Sequence, residues 1–213
     1  MKKLLLASAI LVASSAAQAD MLLGAEFEAT YWKQNLELAG DDMGDKGQPA
    51  FSASFEHPIP LVPNIKAGYS TVDSSDLAYD KIDFTLYYEI LDNDLVTFDI
   101  GVGASLFQNA RILQELIEEE FDGAIPHAYA MLEVGIPATP LFLYAKGDGF
   151  SYDDNSISDL QVGIKYEIGA YALNFDLLAG YRAQKLEIED LGDVTIPFEY
   201  EAKGFFAGIN LDF

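Results

Sequence analysis

From Leu23 to the last residue, apolar side chains return at every second position through one segment after another. That alternation limits what the chain can become. The closing stretch is the clearest case: Phe205, Ala207, Ile209, Leu211 and Phe213 are apolar, while Gly204, Phe206, Gly208, Asn210 and Asp212 take the other face. A period of two belongs to β-strands, whose successive side chains point to opposite sides.

The same pattern recurs upstream. Segments at about 20–34, 50–57, 65–71, 79–90, 95–107, 126–136, 141–152, 157–168 and 171–185 each set apolar residues against polar ones. The fourth alternates most cleanly, with Ile82, Phe84, Leu86, Tyr88 and Ile90 opposed to Lys81, Asp83, Thr85, Tyr87 and Glu89. With the closing strand the count is ten. Eight is the alternative if the weakest two, the third and seventh, are not strands.

The connections alternate as well. Long acidic stretches at 38–49, 72–78, 108–123, 153–156 and 187–197 take turns with short ones at 58–64, 91–94, 137–140 and 169–170. Three prolines, Pro58, Pro60 and Pro63, make the first short connection a rigid turn, because proline cannot donate to a ladder. Within 108–123, Ile112, Leu113, Leu116 and Ile117 fall at helical spacing beside Glu115, Glu118, Glu119 and Glu120. This predicts a short amphipathic helix, with continuation of the fifth strand past Gln108 as the alternative.

The N-terminus reads as a secretory signal peptide: Lys2 and Lys3, an apolar stretch from Leu4 to Ala13, then small residues at Ala17 and Ala19. Cleavage is expected after Ala19, leaving residues 20–213 as a single domain. No later run reaches the roughly 18 apolar residues of a transmembrane helix. Yet 50 % of the chain is hydrophobic and 13 % aromatic, against a net charge of −23. Apolar and charged residues must therefore be interleaved, which a membrane barrel requires: lipid outside, polar lumen inside. A soluble β-sandwich would also alternate, but its outward faces would be polar. Here every strand has an apolar face, and Tyr31, Trp32, Tyr69, Tyr79, Tyr152, Tyr171 and Tyr181 fall near strand ends as an aromatic girdle would.

The fold class is therefore all-β: a transmembrane, up-and-down antiparallel barrel of ten strands. Long connections outside and short ones inside would place both termini in the periplasm. Acidity argues against nucleic acid, since phosphate is bound by Lys and Arg. The absence of cysteine removes thiol chemistry and fits passage through an oxidising compartment.

Three stretches carry a family resemblance. Phe55-Glu56-His57-Pro58-Ile59-Pro60-Leu61-Val62-Pro63-Asn64 and Gly149-Phe150-Ser151-Tyr152-Asp153-Asp154-Asn155-Ser156-Ile157-Ser158-Asp159 are similar to motifs of one family of small Gram-negative outer-membrane β-barrel proteins. Ala179-Gly180-Tyr181-Arg182, followed by an acidic loop and a closing aromatic strand, fits it too. The Glu-rich 108–121 region departs from it. The resemblance implies fold and outer-membrane location, and no activity. The closing strand also looks like the signal read by a barrel assembly machinery, which would be carried by Phe205, Ile209, Leu211 and Phe213.

Candidate chemistry is sparse. His57 is expected to hold its turn by a local hydrogen bond. His127 points into the lumen; catalysis there would need a serine and a carboxylate, for which Ser105 and Asp99 on the neighbouring strand are the candidates. A satisfied lumen histidine is the expectation, and a lipid-modifying enzyme the remote alternative. Inward-facing charges are more telling. Glu26, Glu28, Asp83, Glu89, Asp99, Glu133, Glu167 and Asp176 face Lys66, Lys146, Lys165 and Arg182. Mixed signs in a narrow barrel predict paired side chains filling the interior, given that about eight strands leave only that much room. Glycines at 101, 103, 163, 180, 204 and 208 would make space for Arg182, Lys165 and the tyrosines. The excess of acids would make any water path cation-selective.

Acid clusters at Asp41/Asp42/Asp45, Glu118/Glu119/Glu120/Asp122, Asp153/Asp154 and Glu187/Glu189/Asp190/Asp193 match no EF-hand spacing. Weak divalent binding beside lipopolysaccharide is the most they imply; solvated loops are the simpler reading. The expected function is thus structural or surface-interacting rather than enzymatic, without a cofactor, in contact with outer-membrane lipid and lipopolysaccharide. A narrow cation-selective pore is the alternative.

Overall fold

The structure, a computed structural model, describes residues 23–59, 61–73, 77–93, 95–114, 117–152, 155–170, 173–188 and 198–213. The expected signal peptide, with Ala17 and Ala19, lies outside them, as do Asp153, Asp154, Tyr171 and most of the 187–197 loop. The side chains of Tyr152 and of residues 112–122, with the acids Glu118, Glu119, Glu120 and Asp122, lie outside as well.

Ten strands make the fold: β1 (Gly24–Leu38), β2 (Asp41–Glu56), β3 (Asn64–Asp73), β4 (Leu77–Asn93), β5 (Val96–Gln114), β6 (Ile117–Gly135), β7 (Leu141–Tyr152), β8 (Asn155–Ala170), β9 (Leu173–Ile188) and β10 (Phe198–Asp212). Each pairs antiparallel with its sequence neighbours, and β1 closes on β10. Ten, not eight, is the strand count, and β3 and β7 are both strands. Closure removes every unpaired edge, which an apolar environment demands because it offers backbone groups no water. The seam is completed by Phe213, whose amide donates to Ala25 O at 3.0 Å and whose carbonyl accepts from Ala25 N at 3.3 Å.

The outer wall has two zones. Near the termini it is apolar: Leu23 and the outward residues of β1 up to Tyr31, Leu160 to Ile168 on β8, Phe175 to Ala183 on β9, and Phe205 on β10 through the terminal Phe213. Each run approaches the roughly 9–11 residues a tilted strand needs to cross a bilayer. Phe205 is 74 % exposed although its neighbour Phe206 is buried. Beyond the belt the strands continue, but their outward positions turn polar. Lys33 meets Asp45 at 2.8 Å, Lys185 meets Glu187 and Glu199 at 2.6 and 2.9 Å, and Lys203 meets Glu37 and Glu201 at 3.1 Å. On the opposite side Asp80 accepts from Tyr69 Oη at 2.7 Å and Asn109 Nδ2 at 2.8 Å.

This overhang corrects three sequence expectations. Residues 41–49 are strand, not loop: β1 turns directly into β2 through Ala39 and Gly40, both at positive φ (50° and 86°). Residues 108–114 and 117–123 are strand as well, which is the alternative of a fifth strand continuing past Gln108, and no helix occurs among the described residues. Ala110 faces Phe121 and Ile112 faces Glu119 across the β5–β6 hairpin, so cross-strand pairing overrides the local helical spacing. The alternation lapses after Phe107 because a bulge there shifts the register, with Asn109 at φ 51°. Finally, Trp32 and Tyr79 do not join the outer girdle. They share the inward parity of Thr30 and Lys81 and are buried inside, whereas Tyr31, Tyr69 and Tyr181 do face outward.

Candidate functional site: a stratified lumen

Inward side chains from all ten strands stack in three layers along the barrel axis. At the terminus-bearing end lies a polar basin lined by Glu26, Glu28, Glu56, Glu89, Asp99 and Glu133, with Lys66, Lys146 and Lys165 among them. Lys146 pairs with Glu28 and Lys165 with Glu133, each at 2.5 Å. Glu26 accepts from Ser54 at 3.1 Å, Glu56 from Tyr87 at 2.7 Å, and Glu89 from Asn64 at 3.2 Å. Asp176 accepts from Asn210 at 3.1 Å, and Glu167 stands beside it in register on β8. Asp99 is different: it is 3 % exposed, and its Oδ1 has no hydrogen-bond partner.

At mid-depth the charges converge. Lys81, 0 % exposed, places its ammonium 3.2 Å from Asp83 and 3.3 Å from both Asp148 and Asp159. Arg182 clamps the same Asp159 with two parallel bonds, Nε to Oδ1 at 2.8 Å and Nη2 to Oδ2 at 2.5 Å. Gln184 adds a third donor to Asp159 at 3.3 Å. Two cations thus meet three carboxylates: Lys81, Arg182 and Asp159 are buried, while Asp83 and Asp148 are partly exposed and the centre keeps one net negative charge. The guanidinium plane lies 4.6 Å from the Trp32 ring, and Trp32 Nε1 donates to Gly204 O at 3.2 Å.

Above this layer, at the distal end, the lumen is apolar. Leu36, Leu38, Val72, Leu77, Tyr79, Phe107, Leu186, Ile188 and Tyr200 are buried against one another. Tyr79 packs edge-on to Phe107 and Tyr200, at 5.4 and 5.9 Å between centroids, and donates to Gln184 at 2.9 Å. The overhanging strands therefore enclose a small hydrophobic core inside the barrel rather than an open vestibule.

The sequence-derived network is thereby divided. Glu28 with Lys146, and Glu133 with Lys165, are paired directly; Asp83 and Arg182 meet through the Lys81–Asp159 centre; Glu89 and Asp176 accept amides; Asp99 and Glu167 join no pair among the described residues. The centre itself depends on Lys81, Asp148 and Asp159. Parity marked the first two as inward, but Asp159, one residue before the belt residue Leu160, needed that same parity carried one step further. Glu56 on the basin wall was likewise legible only by parity.

His127 lies in the middle layer and completes a chain of hydroxyls. Ser105 donates to Asp83 Oδ1 at 2.6 Å and so accepts from His127 Nδ1 at 3.0 Å, while Nε2 is hydrogen-bonded to Thr85 Oγ1 at 3.0 Å. The network places a proton on Nδ1. Its partners correct the sequence expectation in one respect: the carboxylate is Asp83, the cross-strand partner of Ser105, and Asp99 lies farther toward the termini. The order also matters. A catalytic triad places imidazole between nucleophile and acid, whereas here the hydroxyl stands between imidazole and acid, and both Ser105 and His127 are buried.

Donor atoms of Asp83, His127 and Asp148 lie within 4.8 Å of one another, a spacing compatible with a metal. The Lys81 ammonium, in contact with both aspartates, occupies the place a cation would take, and both imidazole nitrogens are already engaged. Glycines on the inner face make room for large neighbours. A Cβ at Gly163 would sit 2.9 Å from the Tyr144 ring, and one at Gly180 would sit 2.8 Å from Phe206. Gly101 similarly accommodates Tyr87 and Gly103 accommodates His127, so the tyrosines are admitted as expected, with Phe206 and His127 in place of Arg182 and Lys165. His57 accepts from Ile59 N at 3.3 Å within its turn.

These features define the class: a closed antiparallel barrel, apolar outside over one belt, and filled inside by paired charges and an apolar cap. No family model matches the chain, and no curated protein is similar to it, so the family resemblance stands on its three motifs alone. Solved structures with similar barrels include Neisserial surface protein A, at 16 % identity over 90 % of this chain and 97 % of that one, TM-score 0.35. The outer membrane protease OmpT from Escherichia coli is 10 % identical over 90 % of this chain and 97 % of that one, TM-score 0.43. The Pseudomonas putida toluene transporter TodX is 8 % identical over 90 % and 89 %, TM-score 0.37.

Proposed function

We propose that the protein is an outer-membrane β-barrel with a structural or surface-interaction role, closed to solute flow. The observation that carries this reading is the distal core: Leu36, Tyr79, Phe107, Leu186, Ile188 and Tyr200 are buried against one another across the lumen, above an ion-paired layer. A conducting path needs continuous water, and an apolar stratum of this kind excludes it. The apolar belt supports a lipid surround; the ionic and hydrogen-bonded collar beyond it, with the acid-rich distal hairpins, supports contact with lipopolysaccharide and loosely held divalent cations. Both termini then lie on the periplasmic side, and Phe205, Ile209, Leu211 and Phe213 form the strand that the assembly machinery reads.

Planar-bilayer recording of the purified barrel tests the reading. The expected result is no sustained conductance in neutral or anionic lipid; a large, stable open level would overturn it. The narrow cation-selective pore remains the second reading, because acids outnumber lysines in the basin. It would require the distal core to part, and would show as small, cation-preferring steps. We propose no enzymatic role: the imidazole of His127 is spent on Ser105 and Thr85, out of reach of any substrate.

A further inference from the structure

Turns that face water are normally polar, yet the β2–β3 turn presents its largest apolar side chains to the outside. Ile59 is 59 % exposed, Leu61 92 % and Val62 46 %. The display is held in place. His57 N donates to Asn64 Oδ1 at 3.1 Å, Val62 N to Ile59 O at 3.3 Å, and Pro58 and Pro63 bracket the segment. Leu61 adopts φ 68°, a left-handed conformation that a branched side chain rarely takes and that points to a constrained, purposeful loop. Its carbonyl accepts from Tyr88 Oη at 2.9 Å. Tyr88 belongs to the outer wall, so this bond folds the turn up against the outside of the barrel rather than across its mouth.

The neighbouring β4–β5 hairpin does the same by another device. A register shift between Glu89 and Leu91 leaves Ile90 and Leu91 both half exposed, and Leu95 across the hairpin matches them. Ile59, Leu61, Val62, Ile90, Leu91 and Leu95 thus form one apolar patch on the β2–β5 side of the terminus-bearing end. It runs without a break into the belt residues Phe55, Ile65, Leu86 and Tyr88. The nearby carboxylates Glu56 and Glu89 line the lumen basin, and Asp92, exposed in the β4–β5 hairpin, stands opposite the basin residue Thr97.

We propose that these two hairpins are an apolar foot that inserts into the phospholipid leaflet at the terminus-bearing end, anchoring one side of the barrel in its interfacial layer. The proposal rests on the lipid-facing reading of the belt. Continuity with that belt selects lipid as the occupant: a protein partner would need the foot to stand clear of the surface that lipid already covers. Tyr88 suits the position, because an amphipathic ring at the interface keeps its body in lipid and its hydroxyl on a polar group.

The chain contains no cysteine, so single-cysteine variants can carry a nitroxide spin label at one defined place. Leu61→Cys and Ile59→Cys report on the foot, Val102→Cys on mid-belt, and Asp45→Cys on the aqueous collar. In vesicles of phosphatidylethanolamine and phosphatidylglycerol, collision with oxygen reports lipid and collision with a water-soluble nickel chelate reports water. The expected result is an oxygen-to-nickel ratio at 61 and 59 between those at 102 and 45, well above the aqueous value. Ratios at 61 and 59 equal to that at 45, with 102 oxygen-favoured, overturn the foot and leave the membrane reading intact. Nickel access at 102 as well overturns both. Labels at 61 and 59 shielded from both reagents and immobilised would mean a protein contact, and also overturn the proposal.

Discussion

Arg182 and Asp159 meet through two parallel hydrogen bonds, at 2.8 and 2.5 Å, in the middle of the lumen, with Lys81 against the same carboxylate at 3.3 Å. Three cross-barrel elements, β4, β8 and β9, are joined at this one aspartate. A planar fork matched to a carboxylate gives geometry as well as charge. Removing one partner of a buried pair strands the other, at a cost of roughly 3–5 kcal/mol. Asp159→Asn should therefore lower the urea midpoint of the folded barrel by about that much in free energy. Replacing both with apolar residues, Asp159→Leu with Arg182→Met, should recover most of the loss, since apolar substitutes for buried ions are often neutral. Equal loss in single and double variants would contradict the pairing.

Gly163 faces the Tyr144 ring, and a Cβ there would also lie 2.8 Å from the carbonyl oxygen of Ala179, which is fixed in the β8–β9 ladder. Gly163→Ala is expected to destabilise by about 1–3 kcal/mol, as overpacking does. Gly169→Ala, whose new atom would find its nearest neighbours at 3.8 Å, should leave the urea midpoint unchanged.

The collar gives a pH dependence. Glu187 lies beyond the belt, and hydrogen bonds from Lys185 and then Ser156 hold its carboxyl below the ordinary glutamate value. A depressed acid contributes its interaction above the ordinary value and loses it as pH falls through the lowered one. Lys185→Met should move the Glu187 titration upward toward the ordinary range, read by carbon-detected NMR of labelled glutamate. Because the pair is exposed, the urea midpoint at neutral pH should not change measurably.

Phe213 has two roles that can be separated. Its backbone closes the seam with Ala25, while its side chain completes the outward row of β10. Phe213→Ala keeps the backbone bonds. It should lower the amount of barrel assembled in cells while the purified, refolded protein retains its urea midpoint. Normal membrane levels of this variant would argue against an assembly signal.

Much of this architecture was legible because a lipid belt forces strict alternation: Phe205 to Phe213 and Ile82 to Ile90 each read as a strand, and the repetition of an apolar face through the chain separates a barrel from a sandwich. The overhang was not, for the same physical reason. Beyond the belt both wall faces tolerate polar residues, as at Lys33 and Asp45, so residues 41–49 read as loop. The bulge after Phe107 broke the period and let the spacing of Ile112 and Leu116 pass for helix. Inside the lumen, parity identified which charges point inward, Lys81 and Arg182 among them. Which of them meet depends on contacts across the barrel, Lys81 on β4 to Asp159 on β8, and no local pattern encodes that. Trp32 and Tyr79 were misplaced because a girdle and a lumen cap draw on the same aromatic residues, and only their inward parity tells the two apart.

The central claim is that the distal core seals the barrel. Paired planar-bilayer recordings of the wild type and of a variant carrying Leu36→Gly, Phe107→Gly and Tyr200→Gly test it most directly. A silent wild type and a variant with stable, cation-preferring conductance are expected, the selectivity following from the acids of the basin. Open conductance in the wild type, unchanged by the three substitutions, would contradict the seal.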